Sequence, residues 1–425
     1  MARFFTSRKP FCAVYPEFCM TENEYDVVIV GGGMVGACLG CALGGSRLRV
    51  AVLEESPPPP YEPTQTHDLR VSALSLASAS ILKTTGAWTG ITHRRYCPFR
   101  RMRVWEERGD VAFHSDDIDE PALGYIVENR IIQQALLERL PDFDNVALLL
   151  RDKPLRIDYA PHRSTVTLES GITLTSRLLV AADGGLSRTR LAAGLGVSGW
   201  DYPQHALVMT VDTAYDQQDI TWQQFTPRGP LAFLPLNGPH ASLVWYETPD
   251  RVKQLQALGV EELLQAIQNT FPSCLGILER ISAVGSFPLR RQHALTYVKE
   301  GIALVGDAAH MIHPLAGQGV NIGLLDAATL AEVLIDAHTN GRDTGHPETL
   351  RRYETSCRRN NLVMMTTMDL FFRVFGNAHP PLKWLRNLGL GLAEQVTPAK
   401  KAAIRYAVGS GGHLPRLARG EALTG

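Results

Sequence analysis

Short apolar, β-branched runs open this chain and return at intervals: Tyr25–Val30 (YDVVIV), Leu48–Leu53, Arg177–Ala182 (RLLVAA) and Ile302–Val305 all read as buried strands. Between the first two, Met34–Leu43 reads as a small-residue helix closed by Gly44-Gly45, which tolerate the left-handed turn at a helix end. Val71–Thr85 has apolar residues at near-helical spacing with Gly86 as its stop, and Asn129–Leu140 is an amphipathic helix ended by Pro141. Short strands are expected between Asp144 and Thr175. From Ala206 to Glu247 the pattern changes: ALVMTVDT, TWQQF, LAFLPL and ASLVWYE are strand-like runs broken by Asp, Gly and Pro turns, as in an antiparallel sheet. Beyond Gly323 the periodicity is mainly helical, through Leu330–Ala337, Glu348–Phe375 and Leu382–Arg405.

The punctuation between these runs carries the chemistry. The first strand ends in Gly31-Gly32-Gly33-Met34-Val35-Gly36, and the second in Glu54. Strand, G-x-G-x-x-G, helix, strand and acid together make a dinucleotide-binding βαβ unit. Gly31 permits the tight turn, Gly33 lets a pyrophosphate approach, and Gly36 lets helix and strand pack closely. Glu54 is placed to accept hydrogen bonds from a ribose and disfavours a 2′-phosphate, which leaves FAD or NAD as the bound nucleotide.

Two further segments decide between them. Asp183-Gly184 follows the Arg177–Ala182 strand, where a plain turn would also suit it. Asp307, inside Gly306-Asp307-Ala308-Ala309-His310, either caps a starting helix or presents a carboxylate to ribityl hydroxyls. Gly317, Gln318, Gly319, Val320 and Asn321 then offer backbone and helix N-terminal donors to an isoalloxazine edge. His310-x-x-His313 has no third ligand near it in sequence, so no metal site is expected.

Composition adds limits rather than functions. The 425 residues are 45% hydrophobic and 20% charged with a formal charge of -1, which gives no basis for nucleic-acid binding. No stretch is apolar enough to span a membrane. Seven scattered cysteines suit a reducing, cytoplasmic setting, and Cys38-x-x-Cys41 reads as helix packing. Residues 1–20 lack a continuous apolar core and read as an arm, or as an upstream start with the working start at Met20.

The three segments, in this order, resemble the group A flavoprotein monooxygenases of the p-hydroxybenzoate hydroxylase fold. His313-Pro314-Leu315-Ala316-Gly317-Gln318-Gly319-Val320-Asn321-x-Gly323-x-x-Asp326 is similar to the signature of the ubiquinone-biosynthesis hydroxylases within that group. The likeness runs from about Tyr25 to about Val408. Trp222–Pro227, Leu243–Tyr246 and Met368–Phe371 look most like the bacterial branch that acts on the demethoxy intermediate.

The resemblance implies an α/β fold: a Rossmann-like FAD-binding domain, an interleaved mixed or antiparallel-sheet substrate domain, and a helical C-terminal region. The implied layout is an extension over 1–23 and FAD-binding segments over 24–200 and 299–340. Substrate-domain elements fall around 90–128 and over 201–298, and C-terminal helices with a tail over 341–425. It implies FAD as cofactor, NAD(P)H as a transient reductant without its own glycine-rich unit, and oxygen transfer through a flavin C4a-hydroperoxide. The substrate would be a polyprenyl benzoquinol, and a place in a biosynthetic complex or at the inner membrane stays open. By the same resemblance Glu54 holds the adenosine ribose, Arg70 lies near the pyrophosphate, and Asn129 takes the place of a cofactor-contacting Gln or Arg. Asp183 sits by the pyrophosphate and the nicotinamide donor with Arg190 orienting it, Asp307 binds ribityl oxygens, and Pro314 lines the flavin face.

Three readings remain from the residues themselves. His205, His310 and His313 are conceivable proton-handling groups, against the plainer alternative of structural histidines. Phe225, Phe233, Trp245 and Tyr246 are candidates for the wall of a ring-and-prenyl tunnel, against the plainer alternative of core. Pro381–Arg405 mixes Trp and Leu with Lys and Arg, which fits either a surface grazing a bilayer or a packed helix pair.

Overall fold

A computed structural model describes residues 23–106, 109–312, 319–375 and 414–423. Its first sheet has a parallel core in the order Ile302–Leu304, Thr173–Ala181, Glu24–Val30, Val50–Glu54, Val146–Leu150. Both faces of the central strands are covered: Val27, Val28, Ile29, Val50, Ala51 and Val52 are 0% exposed. That is why they read as continuous apolar runs rather than alternating ones. Helix Met34–Leu43 packs against the long helix Gly319–Thr339, and Cys38 and Cys41 are buried in that layer. Burial pushes the Cys38 thiol up to about 12, so the Cys-x-x-Cys pair is packing, as its sequence suggests.

The second sheet runs His310–Met311, Leu278–Ala294, Val197–Thr213, His240–Glu247, Leu231–Pro235, Ile220–Gln224, Arg101–Trp105, Asp110–His114. It is antiparallel except where Ile220–Gln224 lies parallel to Arg101–Trp105. Its outer face is covered by helices Pro249–Gln256 and Val260–Thr270, which the strand-like reading of this region did not anticipate. A third, small sheet joins Val71–Leu74, Gly124–Glu128 and Cys97–Phe99.

Two expectations change. Val71–Thr85 is not one helix: Val71–Leu74 is a strand paired with Gly124–Glu128, and the helix is Leu76–Thr84. Ser75 marks the break, because its hydroxyl accepts the Ser78 N–H as an N-cap. The strand expected from Ala206 begins at Val197, and it pairs along its length with Leu278–Ala294, another 17-residue strand. Both ribbons carry Gly, Pro and charged residues at their exposed end, which hid their length. The Leu382–Arg405 helix, the arm over 1–20 and the side chains of Met368–Phe371 lie outside the described residues.

Candidate active site

Val30 pairs with Leu53 on one side and Ala181 on the other, and Ala181 pairs with Leu304. The parallel strands thus end level, and Gly31, Glu54, Asp183 and Gly306 leave the sheet side by side at its carboxyl edge. Open α/β sheets bind nucleotides at this edge.

The glycine loop is shaped for a flat polar ligand. Gly31 has φ +105°, and a Cβ there would stand 2.4 Å from Ala182 O. A Cβ on Gly36 would stand 1.9 Å from Gly31 O, so the loop closes on itself at that point. Gly33, Gly184 and Gly319 have the opposite character: a Cβ on any of them would meet nothing within 4 Å. These three positions line open space, where a ligand can lie against bare backbone. Helix Met34–Leu43 starts at Gly33 with no side-chain cap and no acid in its first turn, which leaves its positive end free for phosphate. The residues present fit FAD.

Glu54 leans over this loop, with its Cβ 2.7 Å from where a Gly32 side chain would begin. Ser56 N–H holds Oε1 at 2.8 Å, and Gln133 Nε2 donates to Oε2 at 3.2 Å and to Gly32 O at 3.1 Å. Burial raises the Glu54 carboxyl, and the Ser56, Gly32 and Gln133 bonds oppose that. Sequence reasoning missed Gln133. It lies one helical turn beyond Asn129, the residue expected to contact the cofactor. Asn129 instead accepts the Ser72 hydroxyl at 2.6 Å and gives its backbone N–H to Arg70 O at 3.0 Å, so it braces the Arg70 segment.

The Asp183 carboxylate accepts Ser187 Oγ–H, Thr189 N–H at 3.0 Å and Thr189 Oγ1–H at 2.9 Å, which organises the start of helix Arg188–Ala192. Arg190 does not orient it by hydrogen bonds. Arg190 is 4% exposed and reaches across to Ala308 O at 2.8 Å and Gly185 O at 2.9 Å. The arginine thereby ties the Asp-Gly loop to the turn that carries Asp307.

Asp307 sits inside a 3-10 turn, Gly306–Ala308, and caps no helix. Its side chain opens onto the cleft, yet the surrounding protein pushes its carboxyl up by burial, with His310 and Arg70 pulling it back. The guanidinium of Arg70 is exposed 5.5 Å from the Phe287 ring centroid. Val320 and Asn321 begin helix Gly319–Thr339, whose N-terminus adds backbone donors. The Asn321 side chain is spent elsewhere, donating to Ala73 O at 2.8 Å and accepting Ser75 N–H at 2.9 Å. His313, Pro314, Gly317 and Gln318 lie outside the described residues.

A raised Asp307 pKa has a definite sign. As pH falls, this carboxylate takes up its proton above the ordinary aspartate range and ceases to be a full acceptor for ribityl hydroxyls. In the cofactor-free chain the same protonation adds stability, which is lost as pH rises through the folded-state pKa. On acidification FAD affinity should therefore fall, while the Asp307 contribution to apo-protein stability rises. Asp307→Asn should flatten both trends in FAD titrations and apo melting curves; identical pH profiles in variant and parent would refute this.

The second sheet divides the expected aromatic set between its two faces. Strand alternation puts Phe233 (0% exposed) and Trp245 (3%) on the outer face with Trp222, Leu207 and Phe271 under the helices. These are core. Phe225 is also buried, with its N–H on Trp105 O at 2.9 Å. His205 shares the outer-face parity of Leu207 and Met209, which removes it from proton handling in the cleft. Tyr246 belongs to the inner face, where it clusters with Ala206, Val208, Val244, Leu289 and Phe287, and Phe225, which follows strand Ile220–Gln224, shares the inner-face parity of Thr221 and Gln223. Leu69 lies over this cluster beside Arg70, within 2.8 Å of the position a Gly285 Cβ would take. The sequence showed which residues were apolar, but not which sheet face would meet the flavin domain.

A glycine cradle for a dinucleotide beside a turn-borne carboxylate fits an FAD-binding protein, and the relatives of this chain make it a flavin-dependent monooxygenase. Residues 159–367 match the family model described as FAD binding domain. The chain is similar to p-nitrophenol 4-monooxygenase PnpA from Pseudomonas putida DLL-E4, with TM-score 0.74 and 20% identity over 92% of this chain and 98% of that one. It is 42% identical to 3-demethoxyubiquinol 3-hydroxylase of Escherichia coli (strain K12) over 92% of its own length and 100% of that protein. It is also 35% identical to the human mitochondrial ubiquinone biosynthesis monooxygenase COQ6, over 91% and 93% of the two chains. The chain belongs to the FAD-dependent hydroxylases of ubiquinone biosynthesis.

Proposed function

We propose that this enzyme hydroxylates the benzoquinol ring of a polyprenylated ubiquinone precursor, at the position handled by 3-demethoxyubiquinol 3-hydroxylase. The observation that carries the choice of ring position is the end-to-end match to that protein. When bound, FAD accepts reducing equivalents from NAD(P)H and activates O₂ for transfer of one oxygen atom to the ring. The chain's own part is to hold the cofactor and present the ring. Glu54 and the Gly31–Gly36 loop hold the adenosine and pyrophosphate, with Arg70 beside the phosphates. Asp307 takes the ribityl chain, and the N-terminus of helix Gly319–Thr339 faces the ring edge.

Val208, Val244, Tyr246, Leu69 and Phe287 form the apolar wall that receives the quinol and keeps water from the reacting centre. Among the described residues no helix is long and apolar enough to cross a membrane, so a polyprenyl substrate would be met by approach to the bilayer surface.

The test is complementation of Escherichia coli lacking its 3-demethoxyubiquinol 3-hydroxylase, with mass spectrometry of the accumulated quinone. Restored ubiquinone supports the reading. Restoration of a different ring-hydroxylation step alone would replace it with a sibling activity. FAD binding without substrate-stimulated NAD(P)H oxidation would point to a non-catalytic subunit. The wall has its own check. Val244→Phe should raise KM for the quinol about tenfold or more with full FAD content, whereas Trp245→Phe on the opposite face should leave KM unchanged. The reverse pattern would put the substrate on the other side of the sheet.

A further inference from the structure

The turn Gly306–His310 is where the chain crosses from the parallel sheet to the edge of the second sheet, since Ile302–Leu304 pairs in one and His310–Met311 in the other. Behind it lies a sealed polar network. Asp326, on helix Gly319–Thr339, is 0% exposed. Its Oδ2 accepts Gly306 N–H at 3.2 Å and contacts His310 Nε2 at 2.5 Å. Its Oδ1 accepts Asn361 Nδ2–H at 3.0 Å from helix Pro347–Phe375. Asn361 Nδ2 also lies 3.3 Å from Tyr297 OH, which is 3.0 Å from His293 Nε2.

A buried carboxylate is costly unless it is paired and its oxygens are filled, and here Gly306 and His310 of the turn and Asn361 of helix Pro347–Phe375 meet both conditions. A single oxygen grips the two ends of the turn. Asp307 lies between those ends with its side chain in the cleft. The same helix offers its N-terminus to the cofactor, so any shift of Asp326 would move both cofactor contacts together.

We propose that Asp326 is the positioning residue of the cofactor turn, holding Gly306 and His310 on one carboxylate oxygen and so fixing Asp307 against the ribityl chain. His310 is faced by Asp326 from its helix, by Asp307 from the turn, and by Tyr297 and His293 from the strand side. Tyr353 and Cys357 of helix Pro347–Phe375 feel Asp326, and Arg358 acts on His293 and Tyr297. The carboxylates outweigh burial, and His310 is held above its ordinary range. His310 in turn pulls the Asp307 carboxyl down, against the larger push of burial.

Asp326→Asn keeps an acceptor oxygen and removes the charge, so the His310 pKa falls. FAD dissociation constants should weaken by about tenfold, roughly 1.4 kcal/mol. The acid limb of FAD binding should also move to higher pH, because a less protonated His310 opposes Asp307 protonation less. His310→Gln should displace the limb in the same direction. The double variant should be no worse than the poorer single one, as expected of residues acting as a unit. A purely structural carboxylate would lower the melting temperature and leave the pH profile in place, or its loss would add to that of His310; either result overturns the proposal. If Asp326→Asn does not fold, His310→Gln alone decides through the same limb.

Discussion

Gly36→Ala should yield a chain that cannot retain FAD and is destabilised by about 3 kcal/mol, the upper range for forcing atoms into closed packing. The new methyl would stand 1.9 Å from Gly31 O and 2.9 Å from Ala182 Cβ. The nearest contact is backbone, which cannot turn aside, so relief requires helix Met34–Leu43 to lift from the sheet. Gly33→Ala makes the contrast. Its methyl meets nothing within 4 Å, so the apo-protein should unfold at an unchanged urea concentration, yet FAD should bind far more weakly. Urea unfolding of both apo-proteins, with FAD titration, separates helix packing from ligand approach. A Gly36→Ala enzyme that stays yellow, with parental stability, would mean that the loop is not held as described.

Arg190→Met should be the next most damaging change to cofactor retention, weakening FAD binding by about a hundredfold, or about 2.7 kcal/mol. Gly185 O would keep a partner, Gln292 Nε2 at 2.9 Å, but Ala308 O would lose the guanidinium at 2.8 Å. A buried carbonyl left without its donor costs about 1–3 kcal/mol, and Ala308 follows Asp307 directly. Arg190→Lys should not rescue binding, because one ammonium cannot span two carbonyls set apart for a planar fork. Wild-type FAD affinity in Arg190→Lys would show that charge alone suffices.

The nucleotide half of the fold was legible because its strands are covered on both faces and its glycines are dictated by backbone contacts. Tyr25–Val30, Met34–Leu43 and Glu54 fall where the pattern placed them. The wall proposed for the substrate was not legible, for a reason visible in Trp245 and Tyr246. Adjacent residues of a strand point to opposite faces, and both faces of this sheet are apolar, one under helices and one across the cleft. Sequence alone gives the alternation but not its sense. The Asp183 bonds to Thr189 were not legible either, because an acid at the end of a strand suits a ligand and the next turn equally well. Gln133 and Asp326 act only through partners far along the chain, Glu54 in one case and Gly306 and His310 in the other. Their roles therefore depended on the assembled structure.

The interleaving of the two sheets has a consequence during synthesis. The cradle needs Gly31–Gly36 from the start of the chain and Gly306–Asn321 from its last third, joined by Arg190 from the middle. A ribosome-bound chain that has emerged only as far as the second sheet has its nucleotide loop made but no floor beneath it. Fragments ending ahead of Ile302 lack the turn that carries Asp307 and should be colourless however well their strands form.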